Sequence, residues 1–132
     1  MRVWLYARLS NDDDREMNSL LNQREICQAF AEQHGYIIVG QSFDDNISGM
    51  SFDRRGLDEL TAAVDADKID AVIVKDLSRL GRHRTQTALF IDYLREHHVR
   101  VISATEGVDT FRDEDDLIIG VRGLMNDYYA KD

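Results

Sequence analysis

The sequence contains no proline, a single cysteine and a single tryptophan. It also has no apolar run approaching the roughly 18 residues that a bilayer span requires. Without proline-rich, repetitive or low-complexity stretches there is no natural place to divide the chain, and 132 residues suit one domain around one core. Cys27 has no partner for an internal disulfide, as is usual in a reducing compartment. It falls in a helical pattern with Ile26, Phe30 and Ala31, where it reads as a small core hydrophobe and not as a nucleophile. The first ten residues lack the apolar core and cleavage site of a signal peptide. The nucleotide-binding patterns G-x-x-x-x-G-K-[ST] and G-x-G-x-x-G are absent, and His34, His83, His97 and His98 form no ligand-like arrangement with Cys27. A basic excess is missing too. Sixteen Lys and Arg stand against 25 Asp and Glu, a net charge of −9, which excludes a domain that holds nucleic acid by bulk electrostatics alone.

What is present is a charge distribution more telling than its total. Between Lys75 and Arg84 there are four cations, Lys75, Arg79, Arg82 and Arg84, against one anion, Asp76, while acids gather at residues 12–14 and 113–116. A locally basic site on an acidic body fits a phosphate-handling centre whose main grip on its ligand lies elsewhere.

The hydrophobic pattern alternates strand and helix. Val3 to Tyr6 reads as a strand, Asn18 to His34 as a helix stopped by Gly35, and Tyr36 to Phe43 as a second strand. A helix over Arg55 to Val64 follows, with Asp53 as a candidate cap. Ala71 to Val74 is wholly apolar, as in a strand buried on both faces. Thr85 to His97 reads as a helix, Val99 to Ser103 as a strand and Asp115 to Tyr129 as a last helix. The order predicts an α/β fold: a mostly parallel central sheet of four to five strands with helices on both faces. The last helix carries a broad apolar face of Leu117, Ile118, Val121, Leu124, Met125 and Tyr128 so close to Asp132 that we expect a longer natural chain, with the helix at 115–132 cut short.

In such sheets ligands bind beyond the carboxyl ends of the strands. Arg8-Leu9-Ser10 follows the first strand, Asp44 to Gly49 and then Asp53-Arg54-Arg55 follow the second, and Lys75 to Arg82 follow the third. Taken singly, Ser10 is a turn or cap residue, Ser48-Gly49 a turn, and each arginine a surface residue. Taken together, hydroxyls and arginines from three strand ends suit phosphoryl transfer. Guanidinium offers a rigid fork of donors that stays charged, fixed cations stabilise the transferring oxygens, and a serine among them can store the bond as a covalent ester. A receiver-like signalling module is a rival small α/β reading, supported by Asp12 to Asp14 and Lys75. It leaves Arg8, Ser10, Arg79 and Arg82 unexplained. A catalytically silent assembly domain using its last helix for dimerisation is another, against which the same intact set speaks.

Tyr6-Ala7-Arg8-Leu9-Ser10 resembles the Y-x-R-x-S opening of the serine recombinases, the resolvase and invertase family. Gln23 in the first helix, Ser48-Gly49 with Asp53-Arg54-Arg55-Gly56-Leu57, and Val74 to Arg82 resemble further family segments in the same order, so the likeness spans nearly the whole chain. The resemblance implies a catalytic domain for site-specific DNA recombination. Ser10 would attack a DNA phosphodiester to give a reversible 5′-phosphoserine link, with Arg8, Arg79 and Arg82 around the phosphate. Tyr6, Gln23, Ser48, Arg54, Lys75 and Ser78 would support them. It further implies no metal or nucleotide cofactor, no membrane and a bacterial cytoplasmic setting. The partners would be double-stranded recombination sites and other copies of the chain, as a homodimer pairing into a synaptic homotetramer. Two departures stand out: Ser78 occupies a position where small resolvases usually carry aspartate, with Asp76 displaced from it by two residues and expected to point differently. The acidic stretch after Ser10 is also longer than theirs. Both features resemble the large serine recombinases and transposon-excising enzymes, in which such a domain leads a longer chain.

Overall fold

The computed structural model describes residues 1–10, 13, 17–46, 54–81 and 84–110. Its strands are Arg2–Ser10 (β1), Ile37–Asn46 (β2), Ala71–Val74 (β3), Arg100–Ser103 (β4) and Val108–Asp109 (β5). The helices are Leu20–Gln33 (α1), Arg55–Asp65 (α2) and Arg84–Glu96 (α3), and a single 3-10 turn occupies Leu77–Leu80. The five strands form one sheet in the order β2-β1-β3-β4-β5. All pairings are parallel except that of β4 with the short β5. The α/β expectation therefore holds, with one antiparallel edge strand added.

Strand periodicity decides which helix covers which face. Val3 and Leu5 of β1, Ala71 and Ile73 of β3 and Ile102 of β4 point to one side, where α1 meets them with Cys27 and Ala31. Gln23, Cys27 and Ala31 recur every four residues and form the buried stripe of that helix. Tyr6, Val72, Val74 and Val101 point to the opposite side, under Leu60, Ala63 and Val64 of α2 and Ile91 and Leu94 of α3. Each such aliphatic side chain contributes about 1.5–3 kcal/mol on burial, so the two layers together supply the core. Burial lifts the Cys27 thiol to about 12 and keeps it protonated, consistent with its reading as a core residue.

Two strands run further than their apolar residues suggest. The sequence ends them at Tyr6 and Phe43, whereas β1 continues to Ser10 and β2 to Asn46, paired Arg8 to Asp44, Leu9 to Asp45 and Ser10 to Asn46. Polar residues at these ends read as loop, yet Asp44 and Asn46 are buried and the intervening Ala7 and Leu9 remain in the core. Arg8 and Ser10 are thus held on a strand, not on a loop after it. The proposed cap Asp53, Ser48, Arg82, the acids at 113–116 and the last helix at 115–132 lie outside the described residues, where the acids at 12–14 are represented by Asp13 alone.

The connections fix where a ligand belongs. α1 links β1 to its neighbour β2 on one face, and α2 carries the chain back across the other face to β3. The direction of winding reverses between β1 and β3, and the crevice at their carboxyl ends is the topological switch point of the sheet. Ser10 ends β1 there, and the 3-10 turn leaves β3 there.

Candidate active site

The 3-10 turn is nucleated by Asp76, whose carboxylate accepts from the Ser78 N–H at 3.1 Å and from the Ser78 hydroxyl. That turn aims Arg79 back under the end of β1. Arg79 is only 4% exposed, and four of its five N–H donors are engaged. Nη1 donates to the Arg8 carbonyl and to Asp13 Oδ2, both at 2.8 Å, while Nε and Nη2 donate to Asp76 Oδ2 at 3.3 and 3.2 Å. Burial works against the Arg79 charge, but the two carboxylates outweigh it and raise its pKa further. Asp76, displaced by two residues from the position of Ser78, has its carboxylate joining Ser78 to Arg79.

Ser10 meets the same cluster. Its N–H and its hydroxyl donate to Asp13 Oδ2 at 2.9 and 3.1 Å, and the Asp13 N–H donates to the Ser10 carbonyl at 3.1 Å. Burial pushes the Asp13 carboxyl upward, but Arg79 and Ser10 hydrogen-bond to it and Arg79 adds its charge, so it is held below the ordinary value. Serine hydroxyl, carboxylate and arginine are therefore joined through one oxygen atom. Asp13 was read from the sequence only as part of an acidic run; its spacing of three from Ser10, which closes a turn, was the available signal.

Arg8 secures the opposite wall. Its Nη2 donates to the carbonyls of Ser78 and Gly81, at 2.6 and 3.3 Å, tying β1 to the segment after β3. The Arg8 backbone is itself pinned by the fully buried Gln23, which accepts from the Arg8 N–H at 3.2 Å and donates to the Arg8 carbonyl at 2.9 Å. Arg8, Arg54 and Arg79 line one open groove of about 720 Å³ together with Asn46, Gln86 and Phe90.

Lys75, Tyr6 and Ser78 are held by other contacts, Tyr6 while also lining the groove. Lys75 follows the periodicity of Ala71 and Ile73 to the α1 side. There its Nζ donates to the Met17 carbonyl at 2.7 Å and to Asn18 Oδ1 at 2.6 Å, holding the start of α1 instead of lining the groove. The Tyr6 hydroxyl is buried and donates to Asp44 Oδ2 at 2.7 Å. Asp44, which sequence reasoning passed over as a loop acid, also accepts from the backbone N–H groups of Gly56 and Leu57 at 2.7 and 3.0 Å. It thereby supplies the cap that α2 lacks from its own preceding residue Arg54. Ser78 is exposed, with its hydroxyl on Asp76.

Comparison with known proteins agrees with the fold that carries this site. The family model described as the resolvase N-terminal domain matches residues 3–132. The Tn3 transposon resolvases of Escherichia coli and Klebsiella pneumoniae are each 29% identical over 121 residues, 92% of this chain and 60% of theirs. The chain thus spans about three-fifths of the length of these curated relatives. A resolvase family site-specific recombinase from Streptococcus pneumoniae superposes with a TM-score of 0.79 at 27% identity, over 99% of this chain and 89% of that one. The N-terminal catalytic domain of TP901-1 integrase superposes at 0.78 over 99% and 98%, and at 23% identity it attests the fold.

Proposed function

Because the chain belongs to the resolvase family, as its N-terminal domain, we propose that it is the catalytic domain of a serine-type site-specific DNA recombinase with Ser10 as nucleophile. One observation carries the reading: the Ser10 hydroxyl and the Arg79 guanidinium converge on a single oxygen at the switch point of the sheet. The reaction is a transesterification. Ser10 Oγ forms a bond to phosphorus, the bond from phosphorus to the 3′ oxygen breaks, and the serine proton is in net terms transferred to that oxygen, which leaves as the 3′ hydroxyl. No water is consumed, so the 5′-phosphoserine ester keeps the reaction reversible and permits religation after strand exchange.

Arg79 and Arg8 stabilise the charge on the non-bridging oxygens, a contribution that commonly amounts to about 10²–10³ in rate per donor. Arg82 joins them by the resemblance, and Arg54 contacts the DNA backbone from the groove. Gln23 positions Arg8, Lys75 steadies the start of α1, and Tyr6 acts through Asp44, while Ser48 and Ser78 support the phosphate. The reaction needs no metal or nucleotide cofactor. The substrate is a pair of double-stranded recombination sites, brought together by homodimers that form a synaptic homotetramer in the bacterial cytoplasm. An acidic body of net charge −9 fits a domain to which DNA is delivered by other segments. The large serine recombinases and transposon-excising enzymes are the branch that these features suit best.

A suicide DNA substrate tests the assignment, since its cleaved end diffuses away and traps the covalent adduct. The adduct should vanish in Ser10→Ala and survive in Ser78→Ala. An adduct that persists without Ser10 overturns the proposal.

A further inference from the structure

Asp13 has no role in the mechanism just described, yet its carboxylate accepts the hydrogen bond of the nucleophile's hydroxyl. Its Oδ2 receives three donors of different kinds: the Ser10 N–H at 2.9 Å, the Ser10 hydroxyl at 3.1 Å and Arg79 Nη1 at 2.8 Å. A backbone amide, a hydroxyl and a guanidinium aimed at one point are the donor set that holds an oxyanion. A phosphate oxygen makes the same hydrogen bonds at the same distances as a carboxylate oxygen.

We propose that Asp13 is an internal anion occupying the place of a non-bridging oxygen of the scissile phosphate, so that DNA enters the site by displacing it. This rests on the reading of Ser10 as the nucleophile. The local charge favours the displacement. Arg79 is paired with both Asp13 and Asp76, one positive charge against two negative, with Arg8 on the opposite wall. A phosphodiester that takes the place of Asp13 exchanges a like charge at contact distance for the donors that Asp13 released. Ser10 Oγ would then donate to the bound phosphate and stand beside phosphorus, the alignment from which attack proceeds. Until DNA arrives, Asp13 keeps the Ser10 hydroxyl hydrogen-bonded and Arg79 neutralised.

The alternative role for a carboxylate here is to take the proton of Ser10. Its environment argues against that, because Arg79 holds the Asp13 carboxyl below the ordinary range, and a weakly basic carboxylate is a poor proton acceptor. The two roles predict opposite effects of removing the charge. Asp13→Asn keeps an oxygen for the Ser10 N–H and removes the anion, while the exposed Asp58→Asn on α2 makes the same change of net charge away from the site.

The test uses inorganic sulfate, titrated against the backbone amide resonance of Ser10. Asp13→Asn should bind sulfate roughly tenfold more tightly than the unaltered chain, a modest allowance for one like charge at contact distance, and Asp58→Asn should not. In the unaltered chain, saturating sulfate should raise the Asp13 carboxyl pKa, read from its side-chain carbon, and this observation needs no variant. With the suicide DNA substrate, Asp13→Asn should form the adduct at least as fast as the unaltered chain. Unchanged or weaker sulfate binding in Asp13→Asn, an unmoved Asp13 pKa, or an adduct slowed a hundredfold or more would each overturn the proposal. The sulfate measurements contain no DNA, and Ser10→Ala reports on the nucleophile by itself, so failure of one reading is distinguishable from failure of the other.

Discussion

Two carboxylates stand at neighbouring strand ends and are held in opposite ways. Asp44, at the end of β2, is 1% exposed and accepts from the Tyr6 hydroxyl and from two backbone N–H groups at the start of α2. Two of its three partners are backbone groups of the scaffold, and the third is a buried tyrosine of the sheet. Asp13, just past the end of β1, is partly exposed and accepts from the Ser10 hydroxyl and from Arg79, both assigned to the chemistry in the proposed function. The first ties a helix to the sheet and has no reason to move. The second engages the very donors that a phosphate needs. Burial separates the two roles: a fully enclosed acid fixes the fold, and a half-open one regulates access to it.

The comparison can be broken most forcefully at Asp44. Asp44→Ala leaves three donors without their acceptor, at about 1–3 kcal/mol each when buried. We expect about 4 kcal/mol of lost stability in urea denaturation, with activity lost chiefly through unfolding. Gln23→Ala should cost about 3 kcal/mol, because it removes the acceptor of the Arg8 N–H and one of the two donors to the Arg8 carbonyl, and leaves a cavity in the α1 layer. Gly56→Ala sharpens the picture of how closely α2 meets β2. A Cβ there would lie 2.4 Å from the Phe43 carbonyl oxygen, so the helix must shift, at about 2 kcal/mol. That variant should weaken folding while leaving the Ser10–Asp13–Arg79 cluster intact, and a retained adduct in the folded fraction checks it.

The smallest effect concerns Asp13. Its folded pKa is lower than its ordinary value of 3.8, so its contribution is present above that pH and is lost as pH falls through the lowered folded value. We expect Asp13→Asn to cost about 1 kcal/mol at neutral pH, the scale of one hydrogen bond to a charged group in partial contact with water. The gap to the unaltered chain should close as the solution is taken from pH 5 to pH 2.5. A gap that widened on acidification would contradict the assigned hydrogen bonds.

Much of this was legible in the sequence. The alternation of apolar runs with helical stripes carried the parallel sheet, the order of elements and the place of the site beyond the strand ends. What escaped was the behaviour of polar residues inside elements. Arg8, Ser10, Asp44 and Asn46 were read as loop because polarity marks loops on average, whereas here hydrogen bonds across and beneath the sheet hold them on strands. Charge and the family resemblance together group Lys75 with the phosphate ligands. Its place two residues after Ile73 already put it on the α1 side, and strand periodicity was the signal to follow. Asp76 was discounted for its displacement, because a 3-10 turn folds an i, i+2 pair together and linear spacing does not show that.

The central claim concerns one oxygen atom, Ser10 Oγ. The most direct measurement is to trap the protein on a suicide DNA substrate, digest the adduct and locate the nucleotide by mass spectrometry. The account predicts a 5′-phosphonucleotide on Ser10. A nucleotide on Ser78, on a tyrosine or on any other residue would contradict it.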